Sequence, residues 1–179
     1  ALTRGIPFLG GEPTREEENQ VLKAKGFTDA DMAFSALLGG FSQALRSGEI
    51  PDTSPGSLAK VYPRLARSVK APPDRGGWNL NAPSLDEFRK RYREMYGVDI
   101  VGDERFPLRI DVVVDDNTRH GQQSRVDMMT RDQHLLGLIE QQLAERRSVL
   151  VVYGGSHWST LSAALEGRLG KPKIRPFLK

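Results

Sequence analysis

The sequence predicts an α/β fold, a mostly parallel sheet flanked by helices, formed as a single domain over residues 1–179. Two observations favour this class. Segments with helical periodicity and N-terminal capping signatures alternate with short apolar runs. The run VLVVY, residues 149–153, is continuous and apolar, as in strands buried on both faces of a parallel sheet. A chain of 179 residues is long enough for one such domain with a sizeable core.

The N-terminal third begins with a predicted strand followed by two capped helices. Residues 6–9 are apolar and are closed by two glycines, a pattern typical of a short buried strand. Thr14 precedes Glu17 by three positions, a capping-box spacing that predicts a helix to about Lys25. Thr28 begins the same pattern again, and the second helix is expected to end at a Ser-Gly pair.

The middle of the chain is predicted to contain two helices and a strand, separated by loops rich in Pro, Gly, Asp and Ser. Residues 58–69 have the pattern of a helix interrupted by Pro63. Ser84 caps a helix that should run to Tyr96. Residues 109–114 are apolar and β-branched enough to predict a strand.

The C-terminal third alternates helix and strand most clearly. Thr130 and Gln133 form a capping-box pair, and the helix after them should run to about Arg146. The buried strand VLVVY follows. A last helix is predicted over residues 159–169 and an edge strand over residues 174–178.

Composition and charge exclude several classes of protein. The 26 basic and 23 acidic residues leave a net charge of +3, and the basic residues are scattered, so no nucleic-acid partner is expected. The absence of cysteine excludes disulfides, iron–sulfur clusters and cysteine nucleophiles, and it fits a cytoplasmic protein. No apolar run approaches the roughly 20 residues of a membrane-spanning helix. The missing initiator Met leaves open the interpretation that the chain is a fragment of a longer polypeptide.

The turn Gly-Gly-Ser-His after the predicted strand VLVVY is the first candidate site. In open α/β sheets, ligands bind beyond the carboxyl ends of the strands, so Gly155, Ser156 and His157 would face that crevice. A serine-hydrolase elbow would need glycine at Trp158, and a phosphate-binding loop would need a lysine followed by Ser or Thr at the start of the helix. The alternative is that Ser156 or His157 only caps the last helix.

Glu12, Arg131 and Asp132 complete the candidate set. Glu12 follows the first predicted strand and so has the same topological position as His157. A carboxylate and an imidazole there suit a divalent metal or general acid/base chemistry, although Glu12 could equally be a solvated turn residue. Arg131 could hold a substrate carboxylate or phosphate through its planar fork. Asp132 lies in an apolar helical stripe, where a charge is costly unless it is paired.

The two remaining histidines receive weaker predictions. His134 falls on the polar shoulder of the same helix, beside the predicted apolar stripe. His120 lies in the polar stretch Asn-Thr-Arg-His-Gly and is expected in an exposed loop.

Four features follow one another in the C-terminal part of the chain: the segment TRDQHLLGLIEQQL, a predicted apolar strand, the turn Gly-Gly-Ser-His, and a helix ending Leu-Gly-Lys-Pro. This order resembles the C-terminal half of the TraB/Tiki superfamily over residues 128–172. That superfamily also takes in ChaN-like haem-uptake proteins and erythromycin esterase-type hydrolases. The resemblance implies an α/β domain with two G-x-x-H-type motifs, an acid and an arginine. It would make His157 the second-motif histidine, Glu12 the early acid and Arg131 the site arginine, with Thr14 standing where the first motif has its histidine.

These observations lead to competing functional hypotheses. The first is hydrolysis of an amide or ester bond in a small-molecule or peptide substrate. His157 would be the general base or a metal ligand, Glu12 a second acid/base or metal ligand, and Arg131 a clamp on the oxyanion. Ser156, Gly155 and Asp132 would bind substrate. The cofactor is left open, and a divalent metal is the one candidate. The alternatives are a non-catalytic module that binds a small ligand or a protein, or a fragment of an effector or toxin.

Overall fold

The computed structural model describes residues 8–110, 117–145 and 148–171. Every long regular element in these ranges is an α-helix, and a short 3₁₀ turn lies at Pro73–Arg75. The helices are α1 (Arg15–Ala24), α2 (Asp29–Arg46), α3 (Pro55–Lys70), α4 (Leu85–Tyr96), α5 (Phe106–Arg109), α6 (Arg119–Ala144) and α7 (Gly155–Leu169). None of the described helices is both long and apolar enough to cross a membrane.

The prediction of an α/β fold with a mostly parallel sheet is wrong, because no strand forms in the described residues. Residues 149–153 have no regular structure, and Leu150 and Val152 are 89% and 86% exposed. Apolar, β-branched residues favour a strand only where a neighbouring strand pairs with them, and no such neighbour is described. Arg109 belongs to a helix, and residues 8–9 are irregular. Residues 6–7, 111–114 and 174–178 of the predicted strands lie outside the described ranges.

By its internal contacts the chain divides into two compact units. The helical unit comprises residues 14–127, and the terminal unit comprises residues 1–13 together with residues 128–179. Helix α6 starts in the helical unit and ends in the terminal unit. The predicted domain is therefore not an α/β domain. That residues 1–179 form a single domain stays a prediction.

The capping-box predictions for α1, α2 and α4 are confirmed. Thr14, Thr28 and Ser84 each accept a hydrogen bond from the backbone N–H three residues on, and the acid at that position bonds back to the cap. These reciprocal bonds satisfy N–H groups that have no partner within the helix, so each helix begins at the residue after its cap. Helix α3 continues through Pro63 without interruption, which corrects the prediction of a break there.

The start of α6 was predicted wrongly, at Thr130. The helix begins at Arg119, and the Thr118 hydroxyl accepts a hydrogen bond from the Gly121 N–H at 3.1 Å, in the position of an N-cap. His120 is therefore on a helix and not in an exposed loop, and it is buried with Nδ1 2.9 Å from the Ser35 hydroxyl. A buried polar residue such as His120 is compatible with a helix when a side chain on a neighbouring helix forms a hydrogen bond with it.

The core of the helical unit is built around α2. The Phe88 ring on α4 lies 5.1 Å from the rings of both Phe34 and Phe41 on α2, in tilted arrangements typical of packed aromatic pairs. Helix α3 adds one apolar face to the same core. The buried Asp31 forms ion pairs with Arg91 and Arg119, so its charge is compensated.

Gly40 allows α2 and α3 to approach closely. A Cβ atom at Gly40 would lie 2.7 Å from Leu65 Cδ2, whereas a Cβ at Gly39 would have no neighbour within 4 Å. Leu65 is itself buried, so its side chain has little room to move aside.

We expect Gly39→Ala to stabilise the protein by up to about 1 kcal/mol, because alanine favours a helix interior over glycine. Gly40→Ala has the same helical advantage but adds the clash with Leu65, so we expect it to be less stable than Gly39→Ala by about 1–3 kcal/mol. Urea unfolding of the two variants measures this difference. Equal free energies of unfolding would contradict the close helix contact.

Asp99 stabilises the loop after α4 through charge-assisted hydrogen bonds. Its carboxylate accepts from Arg89 at 2.9 Å, from the Val101 N–H at 3.0 Å and from Arg93. Burial by itself would raise the pKa of Asp99, but these hydrogen bonds outweigh it and lower the pKa from 3.8 to about 2.

A carboxyl group with a lowered pKa stabilises the fold above its unfolded pKa and loses that contribution as the pH falls through its folded pKa. We therefore expect Asp99→Asn to lower the free energy of unfolding by about 1–2 kcal/mol at neutral pH. The difference from the parent protein should shrink between about pH 4 and pH 2. Urea unfolding across this range checks it, and a difference independent of pH would show that Asp99 acts by packing alone.

Candidate functional site

The predicted site residues lie in the terminal unit, on the second half of α6, on α7 and on the segment before α1. The buried apolar residues of the described part of this unit are Leu135, Ile139 and Leu161, which join α6 to α7. This core is small, so polar contacts between the two helices bear directly on how the unit is held together.

A buried histidine–aspartate pair joins α7 to α6. His157 Nδ1 lies 2.5 Å from Asp132 Oδ1, and the two side chains are 6% and 11% exposed. Thr160, one turn further along α7, donates its hydroxyl to the second carboxylate oxygen of Asp132. Asp132 thus accepts hydrogen bonds at both oxygens, which explains how an acid is accommodated in an apolar stripe.

The contact with Asp132 determines which nitrogen of His157 carries a proton. A carboxylate only accepts hydrogen bonds, so Nδ1 is the donor and, in the neutral ring, Nε2 keeps its lone pair. The same relation between an aspartate and an imidazole orients the general base in hydrolases of the Ser-His-Asp type. The His157–Asp132 pair therefore has the geometry of an oriented base.

Glu12 and Arg131 form a second pair. Arg131 Nε and Nη2 donate to the two oxygens of Glu12 at 2.5 and 2.6 Å, a bidentate arrangement. The hydrogen bonds from Arg131 are the main reason that the pKa of Glu12 is lowered, with desolvation acting in the opposite direction. A protonated His157 ring would also lower the Glu12 pKa through its charge, so the two pairs interact electrostatically.

Tyr153 connects the two pairs. Its ring centroid lies 4.4 Å from that of His157, with the planes tilted by 55°. Its hydroxyl oxygen is buried and forms no hydrogen bond of ordinary geometry within the described residues. Burial first, and then the neighbouring Glu12 carboxylate, raise the pKa of Tyr153 to about 12. The hydroxyl is therefore neutral and protonated near physiological pH.

Gly11 lets the segment before α1 lie close to Tyr153. A Cβ atom there would be 3.2 Å from Leu135 Cδ1 and 3.4 Å from Tyr153 Cε2. A larger residue would have to displace one of these side chains. The small residue thus allows Glu12, the next residue along, to reach Arg131.

Most of the predicted site residues come together. Glu12, Arg131, Asp132 and His157 form the two pairs, and Gly155 is the first residue of α7. Ser156 is on the same turn, but its side chain lies outside the described structure. Gly154 is the N-cap of α7, so His157 does not cap the helix.

Sequence reasoning missed Tyr153 and Thr160. Tyr153 ends the apolar run VLVVY, and no local pattern in the sequence marks its hydroxyl as a functional group. Thr160 stands three residues after His157, the helical spacing that places two side chains on one face, and this signal could have found it. His134 is half-buried on α6 and takes no part in these hydrogen bonds.

The described residues do not fit a metal centre. Within them, no group of three or more His, Asp or Glu side chains is arranged to hold a metal ion. Nδ1 of His157 is engaged with Asp132, and both oxygens of Glu12 are engaged with Arg131. We therefore derive no step through the divalent metal that the sequence suggested.

The Glu12–Arg131 contact predicts a measurable coupling between the two residues. In a double-mutant cycle of Glu12→Gln and Arg131→Met, we expect a coupling energy of about 0.5–1 kcal/mol, because both side chains are partly exposed to solvent. Thermal or urea unfolding of the four proteins measures it, and the coupling should weaken at high salt. Additive effects would contradict the bidentate pair.

Comparison of the chain with family models, with curated proteins and with solved structures finds no match. The resemblance to the TraB/Tiki superfamily stays a prediction, and the α/β fold that it implies is not formed by the described residues.

Proposed function

We propose that the terminal unit is an acid–base site that hydrolyses an ester or amide bond, with His157 as the general base. The observation that carries this proposal is the buried contact of 2.5 Å between His157 Nδ1 and Asp132. In a site with little water, such a hydrogen bond is stronger than at the surface and keeps the imidazole in one orientation.

In the proposed reaction, His157 Nε2 removes a proton from a water molecule while the water oxygen bonds to the substrate carbonyl carbon. The carbonyl electron pair moves to its oxygen and gives a tetrahedral oxyanion. When this intermediate collapses, the bond to the leaving group breaks and His157 returns the proton to that group. The products are a carboxylic acid and an alcohol or amine, and Asp132 stabilises the transient imidazolium.

The role of Glu12 and Arg131 differs from the sequence prediction. Arg131 was expected to clamp an oxyanion, but its Nε and Nη2 atoms are bound to Glu12. A substrate anion would have to compete with the Glu12 carboxylate for this guanidinium. We therefore assign the pair a positioning role beside Tyr153, and we retain Gly155 and Ser156 as substrate-binding residues at the start of α7.

A second function, binding without catalysis, is favoured by one observation. The segment before α7 exposes Leu150 and Val152 almost completely, and Phe8 in the same unit is 79% exposed. Residues 149–152 form a continuous apolar run in which every side chain is at least 38% exposed, and contiguous exposed apolar surface is typical of binding sites. A small ligand or a protein could therefore be bound by the unit without being hydrolysed.

His157→Gln should reduce kcat/KM for p-nitrophenyl acetate or a peptide amide by at least about 10³-fold, because glutamine cannot take the proton. Asp132→Asn should cause a loss of about 10³- to 10⁴-fold by favouring the wrong tautomer. His134→Gln, which changes a histidine on the same unit outside the pairs, is the matched control and should keep full activity.

Far-ultraviolet circular dichroism and the melting temperature establish that each variant is folded. Equal rates for His157→Gln and His134→Gln would refute the role of His157. A parent protein that is inert toward both substrates would instead favour the binding module.

A further inference from the structure

The Tyr153 hydroxyl has no role in the reaction proposed above. Its oxygen is buried and makes no hydrogen bond of ordinary geometry within the described residues. A buried hydroxyl that lacks a partner is unfavourable, because it has lost its hydrogen bonds to water. Such groups in native proteins are uncommon and call for an explanation, of which a catalytic role is one.

The surroundings of Tyr153 place this hydroxyl next to the proposed base. The aromatic ring packs against the His157 imidazole at 4.4 Å, so the two side chains border the same space. The polar groups that act on the hydroxyl are Glu12 and Arg131. Both Glu12 oxygens already accept bonds from Arg131, so the carboxylate beside the hydroxyl is engaged elsewhere.

We propose that Tyr153 is the hydrogen-bond donor that binds the carbonyl oxygen of the substrate and stabilises the oxyanion formed from it. This inference rests on the proposed function and deepens it. The role was expected of Arg131, whose Nε and Nη2 atoms are occupied by Glu12. A neutral hydroxyl suits the role because it donates to the carbonyl without giving up its proton.

Tyr153 in this role does not change the proton transfers of the proposed reaction. The hydroxyl donates to the carbonyl oxygen of the bound substrate, and the bond shortens as that oxygen becomes an anion. No proton passes from Tyr153, because His157 carries the proton from water to the leaving group. The Glu12–Arg131 pair keeps its bidentate contact in this role and lies beside the hydroxyl.

The test removes only the hydroxyl, with Tyr153→Phe, and measures both hydrolysis and binding of a stable probe. Benzylphosphonate is the probe, because its tetrahedral anion imitates the intermediate. We expect kcat for p-nitrophenyl acetate to fall by about 10²- to 10³-fold with little change in KM, as for the loss of one oxyanion donor. The Kd of benzylphosphonate by calorimetry should rise at least about tenfold.

Tyr62→Phe is the matched control. It removes a tyrosine hydroxyl from the helical unit, where that group donates to the Pro83 carbonyl. It should change neither hydrolysis nor probe binding. If Tyr153→Phe fails to fold, the parent protein tests the proposal through its near-ultraviolet difference spectrum with and without the probe. Probe binding should then shift a tyrosine band, and a spectrum without that shift overturns the proposal.

The failures of the two proposals are distinguishable. Unchanged hydrolysis and binding in Tyr153→Phe, with hydrolysis lost in His157→Gln, would overturn the role of Tyr153 and leave the hydrolase intact. Probe binding that depends on Tyr153, in a protein that hydrolyses nothing, would refute the hydrolase and keep Tyr153 as an anion-binding residue. Failure of the parent protein to bind benzylphosphonate would overturn the role of Tyr153.

Discussion

The candidate site depends on the buried contact between His157 and Asp132. It joins the first turn of α7 to α6 in a unit whose described apolar core is small. Removing one partner of such a buried hydrogen bond typically costs about 1–3 kcal/mol, because the other is left unsatisfied. The same contact gives the imidazole a single orientation. Stability and the proposed chemistry therefore rest on one interaction.

The two units use polar residues differently. In the helical unit, buried charges such as Asp31 are neutralised by arginines within an extensive aromatic and aliphatic core. In the terminal unit, the polar groups lie next to one another and one hydroxyl, that of Tyr153, is left without an ordinary partner. Fully satisfied networks stabilise and rigidify, whereas an unsatisfied buried group suggests a ligand. The functional proposals concern the terminal unit because its unsatisfied hydroxyl lies beside an imidazole that is oriented by an aspartate.

Local sequence signals predicted the helices well and the sheet wrongly. Capping boxes at Thr14, Thr28 and Ser84 depend on residues only three positions apart, so the sequence alone determines where those helices begin. The strand prediction for residues 149–153 required a pairing partner elsewhere in the chain, which no local pattern can supply. Thr130 failed as a cap because the true helix extends back to Thr118.

For the site, the sequence by itself determined the residue types: a histidine after two glycines, an acid in an apolar stripe, and an arginine beside it. Only the tertiary structure decided their partners. It paired Arg131 with Glu12, which lies 119 residues away along the chain, and His157 with Asp132. It also left the Tyr153 hydroxyl buried. A hydrogen bond between remote segments forms only when packing places its two atoms to within a few tenths of an ångström of the required distance.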